Sequence, residues 1–532
     1  MSAPLSAVMS GYLDLRWRLN PVEATFHGVT EFDGLFAAYD AESVREQLAA
    51  LVSYENAIEE ADAQTLAEEI DRTAVLHSLR HDQLMLGKER QFVHDPSLHL
   101  MHAVNGIFLL LTRAGGSGER AASLLARLQA LPAFLETAAA VLTEPDAVFV
   151  GTALTVVPGA VALIQDGLDD PTLDLAMLDE LELEHARRGA VEALESFGDV
   201  LIEMRGRAGN HFAIGRELFD RKLHTAHMIT ENADELLRFG ERLRATAIAE
   251  LEQIAKEIEP GVPWKEIAAE LRTDIPSPDS ALDEYREAME AARHFTISRD
   301  LMPVPDTSLE VVSTPDFLRP LIPLAAYQGP GAFDAVQRGL FLVTLPENGE
   351  SWRSHCRAEL PSTALHEGIP GHHLQMSIGN QLPSVPRRVL STPAAREGWA
   401  LYCESLMAEM GFLDSAAERF FQAHHLLWRA IRVILDVSLH TKGMSMEEAA
   451  ARLRDELGFE SRVAEAEAKR YCAYPTYQLC YAVGRRDILA LREDVRKART
   501  SEFSLSAFHE ELLQYGALPT ALARWGMGLA AV

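Results

Sequence analysis

One stretch limits what this chain can fold into more than any other: His366-Glu367-Gly368-Ile369-Pro370-Gly371-His372-His373-Leu374-Gln375. The residues on either side read as helix, yet no regular helix can run through the middle. Pro370 lacks a backbone N–H, and its ring clashes with the carbonyl four residues back, that of His366. Gly368 and Gly371 admit dihedrals that a helix does not use. The fold must therefore break a helix here while keeping three histidines and a carboxylate close together.

That mixture is close to the pattern H-E-x-x-H, in which two histidines one turn apart hold Zn²⁺ and the glutamate beside the first activates a water molecule. The spacing differs. Residues four apart share a helix face, and the residue four beyond His366 is Pro370, which cannot ligate. In an unbroken helix His372 would point to roughly the opposite side, and His373 would lie about 10 Å along the axis. Extruding about two residues as a bulge makes His366 and His372 neighbours on successive turns. The expected ligands are thus His366 and His372, with Glu367 as the base and His373 as the alternative second ligand. A helix break with surface histidines is the bland reading, and it leaves Glu367 unexplained.

The third ligand is expected downstream. A loop from Gly379 to Thr392 carries Pro383 and Pro386, and a helix then opens with Ser391 or Thr392 as cap and Pro393 in its first turn. Glu397 follows His372 by enough chain for a helix to end, turn back and present a carboxylate. Two histidines and one glutamate leave a position open, the pattern of a catalytic rather than a structural zinc site. Glu404, two turns on, falls on nearly the same face and is expected either behind a ligand or as a solvated helix charge.

HEGIPGHHLQ followed by Glu397-Gly-Trp-Ala-Leu-Tyr-Cys-Glu404 resembles the paired motifs of the DUF885 family. Asn20-Pro21 to Gly28 with Phe32-Asp33, Gly215 to Leu223 with Thr230 to Gly240, and Pro475 to Arg485 resemble its opening, middle and C-terminal segments, so the likeness covers most of the chain. In the last segment Tyr477-Gln478 is offset from the usual order. The resemblance implies a zinc metallopeptidase of gluzincin type. It also implies a deep cleft between an N-terminal helical half and a C-terminal catalytic half. It singles out Tyr481 as a donor to the oxyanion, with Arg485 as a carboxylate or oxyanion partner. In gluzincins the strand beside the metal helix is an edge that binds extended substrate. By that likeness Gly339 to Leu345 would pair with a peptide, and a core strand without a ligand is the equal alternative.

Composition sets the class. The 532 residues suffice for a large core, and 48% hydrophobic with 24% charged residues are ordinary globular values. There is no run of eighteen apolar residues, so no membrane span is expected. The N-terminus has neither a basic nor a long apolar region, so no signal peptide is expected. Cys356, Cys403, Cys472 and Cys480 show no paired spacing and suit free thiols in a cytoplasm. A net charge of −30 argues against nucleic-acid and anionic-membrane partners.

Apolar spacing predicts helices over Glu42–Ala61, Asp62–Leu86, Gly118–Leu142, Ala176–Arg207, Thr230–Ile258 and Ser280–Phe295. His211, His224 and His227 fall in no chelating pattern and are left out of the site. From Met302 prolines crowd the chain, and Ser308–Ser313 and Leu340–Leu345 read as strands. Helices resume over Ala416–Leu439, from a capping box at Ser445, and over Arg462–Arg470. Tyr471, Tyr474, Tyr477 and Tyr481 follow at three- and four-residue spacing, which half-buried packing explains as readily as chemistry.

The expected fold is mainly α, an elongated multi-helix body with a small antiparallel sheet beside the metal helices. Residues 1–300 form a helical half. Residues 301–532 form a catalytic half with the sheet in 302–345, the zinc helices in 360–412 and C-terminal helices in 413–532. The expected function is hydrolysis of an amide, most simply a peptide bond, with Zn²⁺ on His366, His372 and Glu397. The alternatives are the same site acting on a non-peptide amide or specialised metabolite, or a metal-binding scaffold without turnover.

Overall fold

The computed structural model describes residues 4–113, 116–168, 174–315, 318–319, 322, 324–347 and 352–530. Pro320 and Pro323 lie outside them. The chain forms two compact units. The first comprises Met1–Phe212 with the segments 315–321 and 330–337, and the second comprises Ala213–Thr314, Ile322–Gly329 and Arg338–Val532. The change of composition near residue 300, which suggested a boundary there, lies inside the second unit. The helices before it, from Arg216 onward, pack with the C-terminal ones.

The first unit holds α1 (Leu5–Leu19), α2 (Pro21–His27), α3 (Ala41–Glu60), α4 (Leu66–Leu84), α5 (Pro96–Thr112), α6 (Ser117–Val141), α7 (Ala147–Asp166) and α8 (Glu180–Arg205). Side-chain caps fix the starts of five of these helices, α3, α4, α5, α7 and α8. Asp40 accepts from the Glu42 and Ser43 N–H groups, and Thr65 and Glu68 cap each other's backbone. Helices α5 and α7 were not predicted. They are apolar on most faces and so lack the amphipathic stripe that periodicity detects. By length and composition α6 and α7 would suffice to cross a bilayer. In this fold both pack against α8 and α5.

The second unit opens with α9 (Arg216–His227), α10 (Ala233–Ile258), α11 (Trp264–Leu271) and α12 (Ala281–Ser298). A three-stranded sheet follows, made of β1 (Ser308–Ser313), β2 (Ala325–Gln328) and β3 (Arg338–Val343) in the order β1-β3-β2. Two expectations are corrected here. The sheet is mixed, not antiparallel, because β1 runs parallel to β3 while β2 runs antiparallel. The strand expected to offer an edge, Gly339 to Leu345, is instead central, with its ladder taken up by β1 on one side and β2 on the other.

Then come α13 (Leu360–Glu367), α14 (His372–Gly379), α15 (Val385–Val389), α16 (Pro393–Glu409), α17 (Ala416–Thr441), α18 (Met446–Leu457), α19 (Ser461–Ala473), α20 (Cys480–Arg499), α21 (Leu505–Leu513) and α22 (Thr520–Gly526). Ser445 and Glu448 form the capping box read at the start of α18. Helix α17 is the centre of this unit and is buried along almost its whole length, including Arg429, Arg432, Asp436 and His440. A helix buried all round with charged groups in it must satisfy them internally, and those partners surround the site.

Candidate metal centre

The helix break falls where Gly368, Pro370 and Gly371 put it. Helix α13 ends at Glu367 and α14 begins at His372. Between them the Gly371 N–H donates to the Leu365 carbonyl at 2.9 Å, and the His373 N–H to the Gly368 carbonyl at 3.1 Å. These bonds span more residues than the four of an α-helix, so the turn is a bulge. A Cβ on Gly371 would overlap the His366 carbonyl, which explains the glycine. The freed carbonyls are taken up by α16. Trp399 Nε1 donates to the Pro370 oxygen at 2.9 Å and to that of Gly371 at 3.2 Å, and the Cys403 thiol donates to Pro370 at 3.4 Å.

The bulge brings the His366 and His372 rings to 4.9 Å between centroids, nearly perpendicular. Glu397, in the second turn of α16, places Oε2 3.4 Å from His372 Nε2 and 3.8 Å from His366 Nε2. The three ligand atoms lie within 4.8 Å of one another. Donors on a tetrahedral ion at about 2.0–2.2 Å sit about 3.4 Å apart, so this set fits one small divalent cation. His373 is turned away. It is fully buried, with Nδ1 3.1 Å from the Tyr327 hydroxyl and Nε2 3.1 Å from Thr307 Oγ1. The alternative second ligand thus pins α14 to β2.

Two of the three ligand candidates, His366 and Glu397, have a partner that aims them. His366 Nδ1 donates to Glu404 Oε1 at 2.7 Å, which leaves Nε2 for the cluster. Glu404 is 1% exposed and also accepts from Ser362 Oγ at 3.2 Å. Burial alone would raise its pKa. Its hydrogen bonds with His366 and His425 and the Arg429 charge hold it well below the usual carboxylate range instead. For His366, burial lowers the pKa, but hydrogen bonds to Glu397 and Glu404 outweigh that and push it up to about 9. Glu397 is opposed by burial in the same way and is held well below its ordinary value by His366 and His372. Its second oxygen accepts from the Tyr477 hydroxyl at 2.6 Å.

Glu367 does not join the ligand cluster. Its Oε2 accepts from the Tyr327 backbone N–H on β2 at 2.9 Å, and its charge is felt at His366. Tyr481 lies flat beside His366, with ring centroids 6.4 Å apart and 19° between planes. Its hydroxyl has no hydrogen-bond partner among the described residues. Burial and the nearby Glu397 charge raise its pKa, so it stays protonated. Arg485 is brought beside α16, where its Nε donates to Ser405 Oγ at 2.6 Å.

Two glycines allow this approach. Helices α16 and α20 cross with Gly398 against the Gly484 backbone, and a Cβ on Gly484 would overlap the Ala394 carbonyl. The turn before α20 is held from α17. Asp436 accepts from the Thr476 N–H at 3.0 Å and the Leu479 N–H at 3.2 Å, with Thr476 at φ 69°. His227, set aside in the sequence, supports the same turn through Thr476 Oγ1 at 3.2 Å. Sequence reasoning missed Tyr327, Asp436, Arg429 and Arg432. The signal for the last three was charges at helical spacing in an otherwise apolar α17.

These features define a mainly helical protein with a two-histidine, one-glutamate set able to hold a metal. The chain belongs to the family described as "Bacterial protein of unknown function (DUF885)", whose model matches residues 21–527. Two solved structures are similar over nearly their full length. A candidate lipoprotein of unknown function from Shewanella oneidensis has 23% identity and a TM-score of 0.81, with 99% of this chain and 100% of that one covered. A candidate lipoprotein from Colwellia psychrerythraea has 17% identity and a TM-score of 0.85, with 99% of each chain covered. No curated protein matches the chain.

Proposed function

We propose that this protein is a zinc-dependent hydrolase that cleaves amide bonds, with peptides as the first substrate class. The observation that carries the reading is the convergence of His366, His372 and Glu397 within 4.8 Å, with His366 aimed by Glu404 and Glu397 by Tyr477, and a Glu367 outside the cluster next in sequence to His366. A zinc ion held by this set would act as a Lewis acid toward a carbonyl and lower the pKa of water. Glu367, fixed by the Tyr327 N–H, would accept the proton of the attacking water and pass it to the leaving nitrogen. Tyr481 would donate to the oxygen that gains charge in the transition state. Tyr477 would hold Glu397 in its ligating orientation. A gluzincin-type cleft above the metal belongs to the same reading and rests on the ligand set.

Location is part of the proposal. All four cysteines are buried and none is in a disulfide, as a reducing compartment allows. The solved relatives are described as candidate lipoproteins, which favours a membrane-anchored or exported protein. Fractionation of the source cells decides between the two. The function itself is tested by elemental analysis of the purified protein, followed by a peptide library with the new termini read by mass spectrometry. One zinc per chain and cleavage abolished in Glu367→Gln are expected. No stoichiometric metal, with none taken up from added zinc, would refute the reading.

A further inference from the structure

Behind Tyr481 the second unit gathers more positive charge than it neutralises. Arg432 lies over the Tyr481 ring at 4.6 Å and Arg429 at 5.6 Å. Arg470 follows on α19, with its side chain 36% exposed. Among the described residues, two carboxylates lie within ion-pair reach of these three guanidinium groups. Glu467 accepts from Arg432 at 3.0 Å and from Arg470 at 2.8 Å. Glu404 reaches Arg429 only at 3.9 Å and is already committed to His366. The shortfall is visible atom by atom. Arg429 Nε and Nη1 and Arg470 Nε are buried without acceptors. Arg432 spends Nε on the Tyr471 hydroxyl and Nη2 on Glu467, which leaves Nη1 without a partner among the described residues. The Tyr481 hydroxyl is likewise unclaimed.

Buried donors of positive charge without acceptors are costly, and a fold keeps them where an anion arrives. We infer that Arg429, Arg432 and Arg470, reached past the Tyr481 ring, form a subsite for a substrate carboxylate next to the scissile bond. This inference rests on the proposed hydrolytic role of the metal centre and names its substrate class. Tyr481 touches both His366 and the arginine group, so the two sites are separated by one aromatic ring. The Tyr481 ring lies 6.4 Å from the His366 ring and 4.6 Å from the Arg432 guanidinium. With a contact of about 3 Å taken off at each end, the remainder is about one residue of extended chain at about 3.5 Å, which puts the carboxylate on the residue beside the cleaved bond. It is either the α-carboxylate of a C-terminal residue or an acidic side chain in that position. Planar arginine forks suit a carboxylate, which accepts two hydrogen bonds at once.

The test uses three probes: an N-acyl dipeptide with a free C-terminus, its C-terminal amide, and an N-acyl dipeptide amide ending in glutamate. Binding is measured by calorimetry on zinc-loaded Glu367→Gln, and turnover on the unmodified protein. The free acid is expected to bind about 10- to 100-fold more tightly than the neutral amide, the range of charge-assisted hydrogen bonds. If the glutamate amide shares the gain, the side chain is the source. If it does not, the terminus is. Arg429→Gln should cost the free acid about 10-fold or more beyond whatever it costs the neutral amide, and Arg429→Lys should restore part of that difference. Circular dichroism and zinc content establish that the variants are folded. Equal binding of all probes, no binding of any, or an equal loss for all in Arg429→Gln overturns the subsite. Preferential binding of an acid without turnover upholds the subsite and removes the hydrolase reading. Turnover that ignores the carboxylate does the reverse.

Discussion

Glu367 and Glu397 are carboxylates beside the same pair of histidines, and their hydrogen bonds give them different work. Glu397 has one oxygen on Tyr477 and the other facing His366 and His372. Removing the Tyr477 hydroxyl frees a ligand to rotate, so Tyr477→Phe is expected to weaken zinc binding about 10- to 100-fold, measured by competition with a chelator. Tyr481 touches no ligand oxygen. Tyr481→Phe should keep zinc and lower kcat by about 10²–10³ with KM little changed, the mark of a donor used only in the transition state. A rise in KM alone would reassign Tyr481 to ground-state binding. His373→Ala is expected to retain zinc and lose thermal stability, because that ring joins Tyr327 to Thr307. Loss of zinc in this variant with retention in His372→Ala would reverse the ligand assignment.

At the scale of elements, the helix break was legible because proline and glycine act locally. The sequence could not say which histidine the bulge would present. That depends on Trp399 and Cys403 collecting the freed carbonyls from α16, two helices further along the chain. Glu404 stayed ambiguous for the same reason, since periodicity gives a face and not what covers it. Strands β1 and β3 were readable from β-branched runs. Their parallel pairing and the short Ala325–Gln328 strand between them in sequence were not, because register is set by tertiary partners. The turn before α20 offers an element-scale test. Burial pushes the Asp436 carboxyl up to about 7, against the Thr476, Leu479 and Gln478 N–H groups and Lys222, which act the other way. A carboxyl with a raised folded pKa binds more protons folded than unfolded between its ordinary value and about 7. Stability from this group is therefore present at low pH and lost as pH rises through that window, by up to about 1.4 kcal/mol per unit. Asp436→Asn should flatten this part of the profile of Tm against pH. An unchanged slope would show that Asp436 does not titrate there.

For the whole molecule, a ligand that binds only the folded state stabilises it, by about 2.7 kcal/mol at a hundredfold excess over Kd. Chelation should lower Tm by a few degrees and added zinc should restore it, with no such response in a His366→Ala, His372→Ala double variant. The chain path has a consequence of its own. The first unit borrows 330–337 from beyond the start of the second. Within that loan, Asp334 pairs with Arg113 at 2.6 Å, and the Phe333 N–H donates to the His27 carbonyl at 2.8 Å. During synthesis the N-terminal helices are complete long before these residues leave the ribosome. Asp334 follows Arg113 by 221 residues, so at about 5–20 residues per second the nascent chain waits roughly 10–40 seconds with Arg113 lacking its closer partner. A truncated fragment ending at Phe212 waits indefinitely. It should exchange the amide hydrogens around His27 and Arg113 faster than the intact protein does, so the birth order of the chain is written into which of its helices are last to become quiet.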